Sequence, residues 1–172
     1  MYLVTGGAGF IGSNIVWALE SQGVGKVIVC DRLRQDNKWR NLAKRELAGI
    51  VPPENLFDFL EANATNVEAV IHMGAISSTM ETDVDLIVDT NFRLSVDLWQ
   101  WCTRHHVRFV YASSAATYGD GSGGFDDDGS PEVLEVPLRG RGVDGGRSFG
   151  SAQGDAIRNL EGHLSEFLYQ GD

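Results

Sequence analysis

Two stretches hold residues whose type and spacing suit chemistry. YASSAATYG (111–119) closes the apolar run of residues 107–112 with Ser113, Ser114 and Tyr118. A plain turn would bring in Gly, Asn, Asp or Pro sooner. Hydroxyls at a strand end suit half of an active site, in which a side chain is set beside a catalytic partner. The other stretch, TGGAGFIG (5–12), contains Gly6-x-x-Gly9-x-x-Gly12 and the overlapping Gly7-x-Gly9-x-x-Gly12. Such a turn, placed after a strand and opening a helix, brings backbone close to a pyrophosphate. The helix N-terminus then offers N–H groups and partial positive charge to it.

Further residues fit the same ligand. Asp31 ends the apolar run KVIVC (26–30), where an acidic side chain reaches the adenine ribose hydroxyls of a dinucleotide. Arg32, Arg34 and Lys38 follow in an otherwise acidic chain, and cations there suit a ribose 2′-phosphate. Local charge therefore leans to NADP, while Asp31 also fits NAD. In HMGAISS (72–78), Gly74 and Ala75 are small enough to admit phosphates and ribose. His72 reads as a packed strand residue rather than a ligand or base.

The elements that must position these residues follow from periodicity. Apolar runs predict strands at residues 2–5, 26–30, 48–51, 67–72 and 107–112. Helical spacing predicts helices over residues 10–21, 54–62 and 83–105, with a weaker one over 37–48. The helix over 83–105 is expected to be long and well buried. Strands alternating with helices through short connections imply an α/β fold, a parallel sheet covered on both faces. Beyond Tyr118 the chain turns Gly- and Asp-rich, and only residues 156–168 recover a helical pattern.

Bulk composition excludes several classes. The chain has 172 residues, 42% hydrophobic and 22% charged, with a net charge of −10. These values suit one globular domain rather than a disordered chain. The acidic excess argues against a nucleic-acid or anionic-membrane surface. Cys30 and Cys102 form no metal-binding spacing and no disulfide framework, so no metal is expected. No apolar run is long enough to span a membrane, and no signal peptide is visible at MYLVTGG. A cytoplasmic location is expected.

Taken together, TGGAGFIG and YASSAATYG resemble the extended short-chain dehydrogenase/reductases, the NAD-dependent epimerase/dehydratase family. Within it, DRLRQDNKWRNL (31–42), HMGAISSTMETD (72–83) and DTNFRLSVDLWQWC (89–102) are most similar to members that epimerise C6 of an ADP-heptose, a nucleotide sugar of lipopolysaccharide core synthesis. The resemblance covers residues 1 to about 132. It implies a Rossmann-like doubly wound parallel sheet, a truncated one here, with an NADP-dependent 6-keto intermediate and no net redox. It also implies roles: Phe10 and Ile11 along the phosphates, Asp31, Arg32 and Lys38 at the adenosine end, and Ala75 and Ser77 lining the cofactor. Asn91 supports the cofactor, and Ser114 is the catalytic serine facing the reacting carbon. Homo-oligomers are typical of the family.

The sequence departs from the family at one decisive place. The resemblance implies a Tyr-x-x-x-Lys pair in a window near residues 138–148, which here reads LRGRGVDGGRS. None of Tyr2, Tyr111, Tyr118 and Tyr169 has lysine four residues later, and no lysine follows Lys44. Family members usually carry Tyr-Gly-Trp-Ser-Lys there. Trp-Ser-Lys codons read one base out of phase give Gly-Arg followed by Arg or Ser, the form of Gly146-Arg147-Ser148. Residues 1–132 are therefore expected to be the dinucleotide-binding domain, and 133–172 an aberrant, frameshifted tail without catalytic pair or substrate domain. The expected chain binds a dinucleotide without epimerising. Another nucleotide-sugar epimerase or dehydratase, and a non-catalytic NADP-binding module, are the alternatives.

Overall fold

A computed structural model describes residues 1–35, 37–78 and 80–112. Ser114, Tyr118 and the expected boundary at 132 lie outside them.

Among the described residues, five parallel strands form one sheet: β1 (Tyr2–Thr5), β2 (Val27–Cys30), β3 (Gly49–Val51), β4 (Ala69–His72) and β5 (Arg108–Tyr111). Their spatial order is β3-β2-β1-β4-β5. The chain builds outward from β1 to β3, then crosses back to start β4 on the other side of β1. That reversal opens a crevice beyond the carboxyl ends of β1 and β4, where open α/β sheets bind their ligands. Register puts the last residues of the central strands side by side, with Thr5 opposite both Cys30 and His72.

Helix α1 (Phe10–Ser21) packs on β1 and β2 through Ile15, Val16 and Leu19. It stops because Gly23 takes the left-handed conformation (φ 65°). The Gly23 and Val24 amides then turn back to the Glu20 and Leu19 carbonyls, and the last turn is satisfied. The opposite face carries the main apolar cluster. Leu3, Ile28, Cys30 and Val70 of the sheet meet Leu56 and Leu60 of α2 (Leu56–Ala62), and Leu98, Trp101 and Cys102 further along the chain. The Trp101 indole is fully buried, and its Nε1–H donates to Glu61 Oε1 at 3.0 Å. Burying so large a ring is tolerable because its one polar atom is paired.

Three expectations need correction. The helix expected over 37–48 is a single 3-10 turn, Asn37–Asn41; the side chains of Lys38 and Asn41 bond away from it, to Asp31 and the Ala8 carbonyl. The helix over 83–105 is not uniform. It begins as α3 (Val84–Ile87), widens to a π-helical segment at Val88–Arg93, and continues as α4 (Leu94–His105). Nor is it buried along its length, since Val84, Val88, Phe92 and Trp99 are exposed, while Leu98, Trp101 and Cys102 are buried in the core and Leu94 packs against it. Strand β5, expected to be buried, has exposed ends at Arg108 and Tyr111, because among the described strands it is outermost.

Candidate dinucleotide site

The glycine turn runs from the end of β1 into α1, and its shape depends on missing side chains. Gly6 has φ 64°, and a Cβ there would lie 2.8 Å from the Cα of Gly74. A Cβ on Gly12 would collide with the Gly6 carbonyl oxygen and press on the Gly7 Cα. The turn is therefore folded on itself and pressed against the loop after β4. Gly9 is the N-cap of α1, no side chain caps the first turn, and no acidic residue occupies it. The first-turn N–H groups have no intrahelical acceptor, so the positive end of the helix faces the crevice. Phe10 begins this turn with its ring 78% exposed, and Ile11 is half-buried.

Asp31 stands just past β2, and both its oxygens are engaged. Oδ2 accepts from the Ala8 amide at 2.9 Å, and Oδ1 pairs with Lys38 Nζ at 2.7 Å. Asn41 Nδ2 donates to the Ala8 carbonyl at 2.8 Å, so Ala8 is held at both its peptide groups. Arg32 meets Glu54 at 3.4 Å, with both side chains partly in solvent. Arg34 lies in the left-handed region, with φ 44°.

Across the crevice, the loop after β4 carries Ala75 and Ser77, both exposed. The Asn91 side chain bonds it at two points: Oδ1 accepts from the Ile76 amide at 2.7 Å, and Nδ2 donates to the Ile76 carbonyl at 2.9 Å. His72 is 4% exposed, and burial lowers its pKa to about 4, so the ring is neutral at ordinary pH. It agrees with the packed-residue reading, yet it is more than packing. Nδ1 lies 2.6 Å from Thr5 Oγ1, and Nε2 lies 3.0 Å from Ser95 Oγ. Sequence reasoning missed Thr5 and Ser95. The signal was a polar residue closing each of two adjacent apolar strands.

The two cysteines are buried and free, and burial raises their pKa to about 12 at Cys30, where Asp31 adds to the effect, and about 11 at Cys102. Both are inert thiols of the core. Among the described residues, no group of His, Cys, Asp and Glu could hold a metal ion, and no helix is long and apolar enough to cross a membrane.

A parallel sheet of order 3-2-1-4-5, a glycine-rich turn at its switch point and an acidic residue after β2 define a Rossmann-like dinucleotide-binding fold. The residues fit such a ligand, because the glycines hold the turn in a tight form that side chains at Gly6 and Gly12 would break, and the first turn of α1 is left without a side-chain cap or an acidic residue. The chain belongs to the NAD dependent epimerase/dehydratase family, whose model matches residues 2–138. It is 48% identical over 142 residues to the ADP-L-glycero-D-manno-heptose-6-epimerase of Fusobacterium nucleatum and 44% identical over 140 residues to that of Nitratidesulfovibrio vulgaris. Each match covers 80% of this chain and 43% of the relative, so the chain spans less than half the length of these relatives. Among solved structures, UDP-glucuronic acid 4-epimerase from Bacillus cereus in complex with NAD superposes with a TM-score of 0.60. That match is at 26% identity and covers 74% of this chain and 43% of that one. The heptose epimerase of Helicobacter pylori, 23% identical with a TM-score of 0.59, shares the fold; the match covers 96% of this chain and 50% of that one.

Proposed function

We propose that residues 1–132 are the dinucleotide-binding part of an ADP-heptose 6-epimerase, and that the chain as it stands binds NADP without turning over a sugar. The observation that carries the reading is the glycine turn packed on the β4 loop, with Asp31 holding Ala8. The named relatives at 44–48% identity support the sugar. A nicotinamide dinucleotide bound there would supply reversible hydride exchange at C6 of the sugar.

The chain's own residues do the holding. The first turn of α1, Phe10 and Ile11 included, receives the pyrophosphate. Asp31 and Lys38 meet the adenosine end, where Arg32 and Arg34 add positive charge toward a 2′-phosphate. Ala75 and Ser77 line the opposite wall, supported by Asn91. Ser114 orients the substrate oxygen, but a proton must also leave that oxygen, and this falls to a tyrosine whose pKa a lysine lowers. Tyr118 has Ser122 where that lysine is needed.

The tail from 133 on is proposed to be read out of phase. The family match runs to residue 138, a few residues into this tail, and stops there, after which 139–147 turn rich in glycine and arginine. A cytoplasmic location and a family-type homo-oligomer belong to the same reading.

Calorimetric titration of the full chain with NADP and NAD tests the cofactor: binding of NADP ahead of NAD is expected, and no heat with either overturns the reading. Turnover of an ADP-heptose by the purified chain would refute the missing acid–base pair. Sequencing the gene decides the tail, since a Tyr-x-x-x-Lys in a neighbouring frame is expected.

A further inference from the structure

A closed circuit of hydrogen bonds surrounds Ala75. The Gly74 amide donates to Thr5 Oγ1 at 3.0 Å. Thr5 Oγ1 and His72 Nδ1 are 2.6 Å apart, and His72 Nε2 and Ser95 Oγ are 3.0 Å apart. The Ser95 hydroxyl donates to the Asn91 carbonyl at 3.1 Å, and the Asn91 side chain returns to both peptide groups of Ile76. The path leaves the β4 loop at Gly74 and re-enters it at Ile76, with Ala75 between.

Proton counting gives the circuit a direction. An amide can only donate, so Thr5 Oγ1 accepts from Gly74 and points its own proton at Nδ1. Nδ1 is then bare, and the proton of the neutral ring sits on Nε2, facing Ser95. Ser95 accepts it and passes its own proton to Asn91. With the proton on Nδ1 instead, Ser95 would have to donate to Nε2. The Thr5 proton would then lack an acceptor, and the Ser95 hydroxyl could no longer donate to the Asn91 carbonyl. Only the first arrangement satisfies every contact, and buried polar groups left unmatched are costly. The π-helical segment Val88–Arg93 contains Asn91, the residue that faces the loop.

We propose that His72, as the Nε2–H tautomer, is a positioning residue that locks Gly74–Ile76, and with it Ala75, in place for a dinucleotide. This rests on the dinucleotide reading above. His72 does not touch the ligand; it transmits position from the end of β1 to the helix and back to the loop. Ser95 is the link that can be cut with least disturbance, because it sits on the helix surface side of the circuit and Ser95→Ala leaves its backbone unchanged.

The test uses the full chain in three forms: native, Ser95→Ala and Ser95→Thr. Ring nitrogen NMR of native His72 is expected to show a proton on Nε2 and none on Nδ1. Ser95→Ala is expected to weaken NADP binding about five- to tenfold, the worth of one lost hydrogen bond, and to speed amide exchange at Ile76. Ser95→Thr keeps the hydroxyl and is expected to restore both, which a packing role for the serine methylene would not do. A proton on Nδ1, or native Ile76 exchange in Ser95→Ala, overturns the proposal. Unchanged affinity in Ser95→Ala overturns it as well. If the native chain binds no dinucleotide, the functional reading fails by itself, and the tautomer and the Ile76 exchange still decide whether the circuit holds the loop.

Discussion

On the β1–α1–β2 side of the crevice the chain removes side chains, and on the β4–α4 side it supplies them. The first wall is a turn folded so tightly that Gly6 and Gly12 leave no room for a Cβ. Asp31 tethers it at the Ala8 amide and Asn41 at the Ala8 carbonyl. The second wall is a loop that would wander without the amide of Asn91 and the buried pair of Thr5 and His72. Steric fit has no proton to lose and no pH dependence. A side-chain circuit has both, so the two walls should fail under different insults.

The largest expected effect is on the first wall. Gly12→Ala places a methyl against the Gly6 carbonyl, with backbone on both sides and nothing flexible to yield. Overpacking of this kind is expected to cost about 3 kcal/mol or more, or to prevent folding. The urea midpoint checks it. A variant as stable as the native chain would mean that the turn opens more easily than its contacts imply.

Acid should act on the second wall. Native His72 has a pKa near 4, whereas an unfolded histidine titrates near 6.5. Between those values the unfolded chain binds a proton that the native chain refuses. Stability from this group is therefore whole above about pH 6.5, falls as pH drops through the window, and is lost by about pH 4. At roughly 1.4 kcal/mol per unit the loss is about 2–3 kcal/mol. Urea unfolding followed from pH 7 to pH 4 measures it, and His72→Asn should flatten that slope. An equal slope in the variant would assign the acid loss to other groups.

How much of this was legible depended on whether the information was local. The glycine turn, Asp31 and the alternation of strands and helices were readable because each is written in consecutive residues. The β4 wall was not. Thr5 and His72 are far apart in sequence and meet only because β1 and β4 pair in register. Ser95 reaches His72 only once the helix has docked. The exposed face of that helix was misread for the same reason: Val88, Phe92 and Trp99 have the spacing of a buried stripe, but the contacts that decide burial are tertiary. The expected helix at 37–48 failed because Lys38 and Asn41 are tied to Asp31 and Ala8, which holds the segment to one turn. Ser114 was read by resemblance, and it lies outside the described residues.

A smaller effect separates tether from cradle on the first wall. Asp31→Ala removes the acceptor for the Ala8 amide and the partner of Lys38. Because Asp31 is largely buried, with its side chain 9% exposed, a loss of about 1–2 kcal/mol is expected. Asp31→Asn keeps an oxygen for Ala8 and gives up the ion pair, so it should recover part of that loss. Equal urea midpoints for the two variants would show that the Lys38 contact, rather than the Ala8 bond, is what holds the turn.

The smallest expected effect on stability is the most informative about the ligand. Arg32 and Glu54 meet at 3.4 Å with side chains 46% and 60% exposed, and such pairs contribute less than about 1 kcal/mol. Arg32→Ala should therefore leave the urea midpoint nearly unchanged. The same guanidinium is free to turn from Glu54 toward a 2′-phosphate, because little holds it where it is. If it does so, Arg32→Ala lowers affinity for NADP about five- to tenfold and leaves NAD untouched, as removal of one charge-assisted contact would. Titration with both dinucleotides reads the ratio. An unchanged ratio moves the phosphate contact to Lys38 or Arg34. The first wall would then read the adenosine end through the same short turn that steadies Asp31.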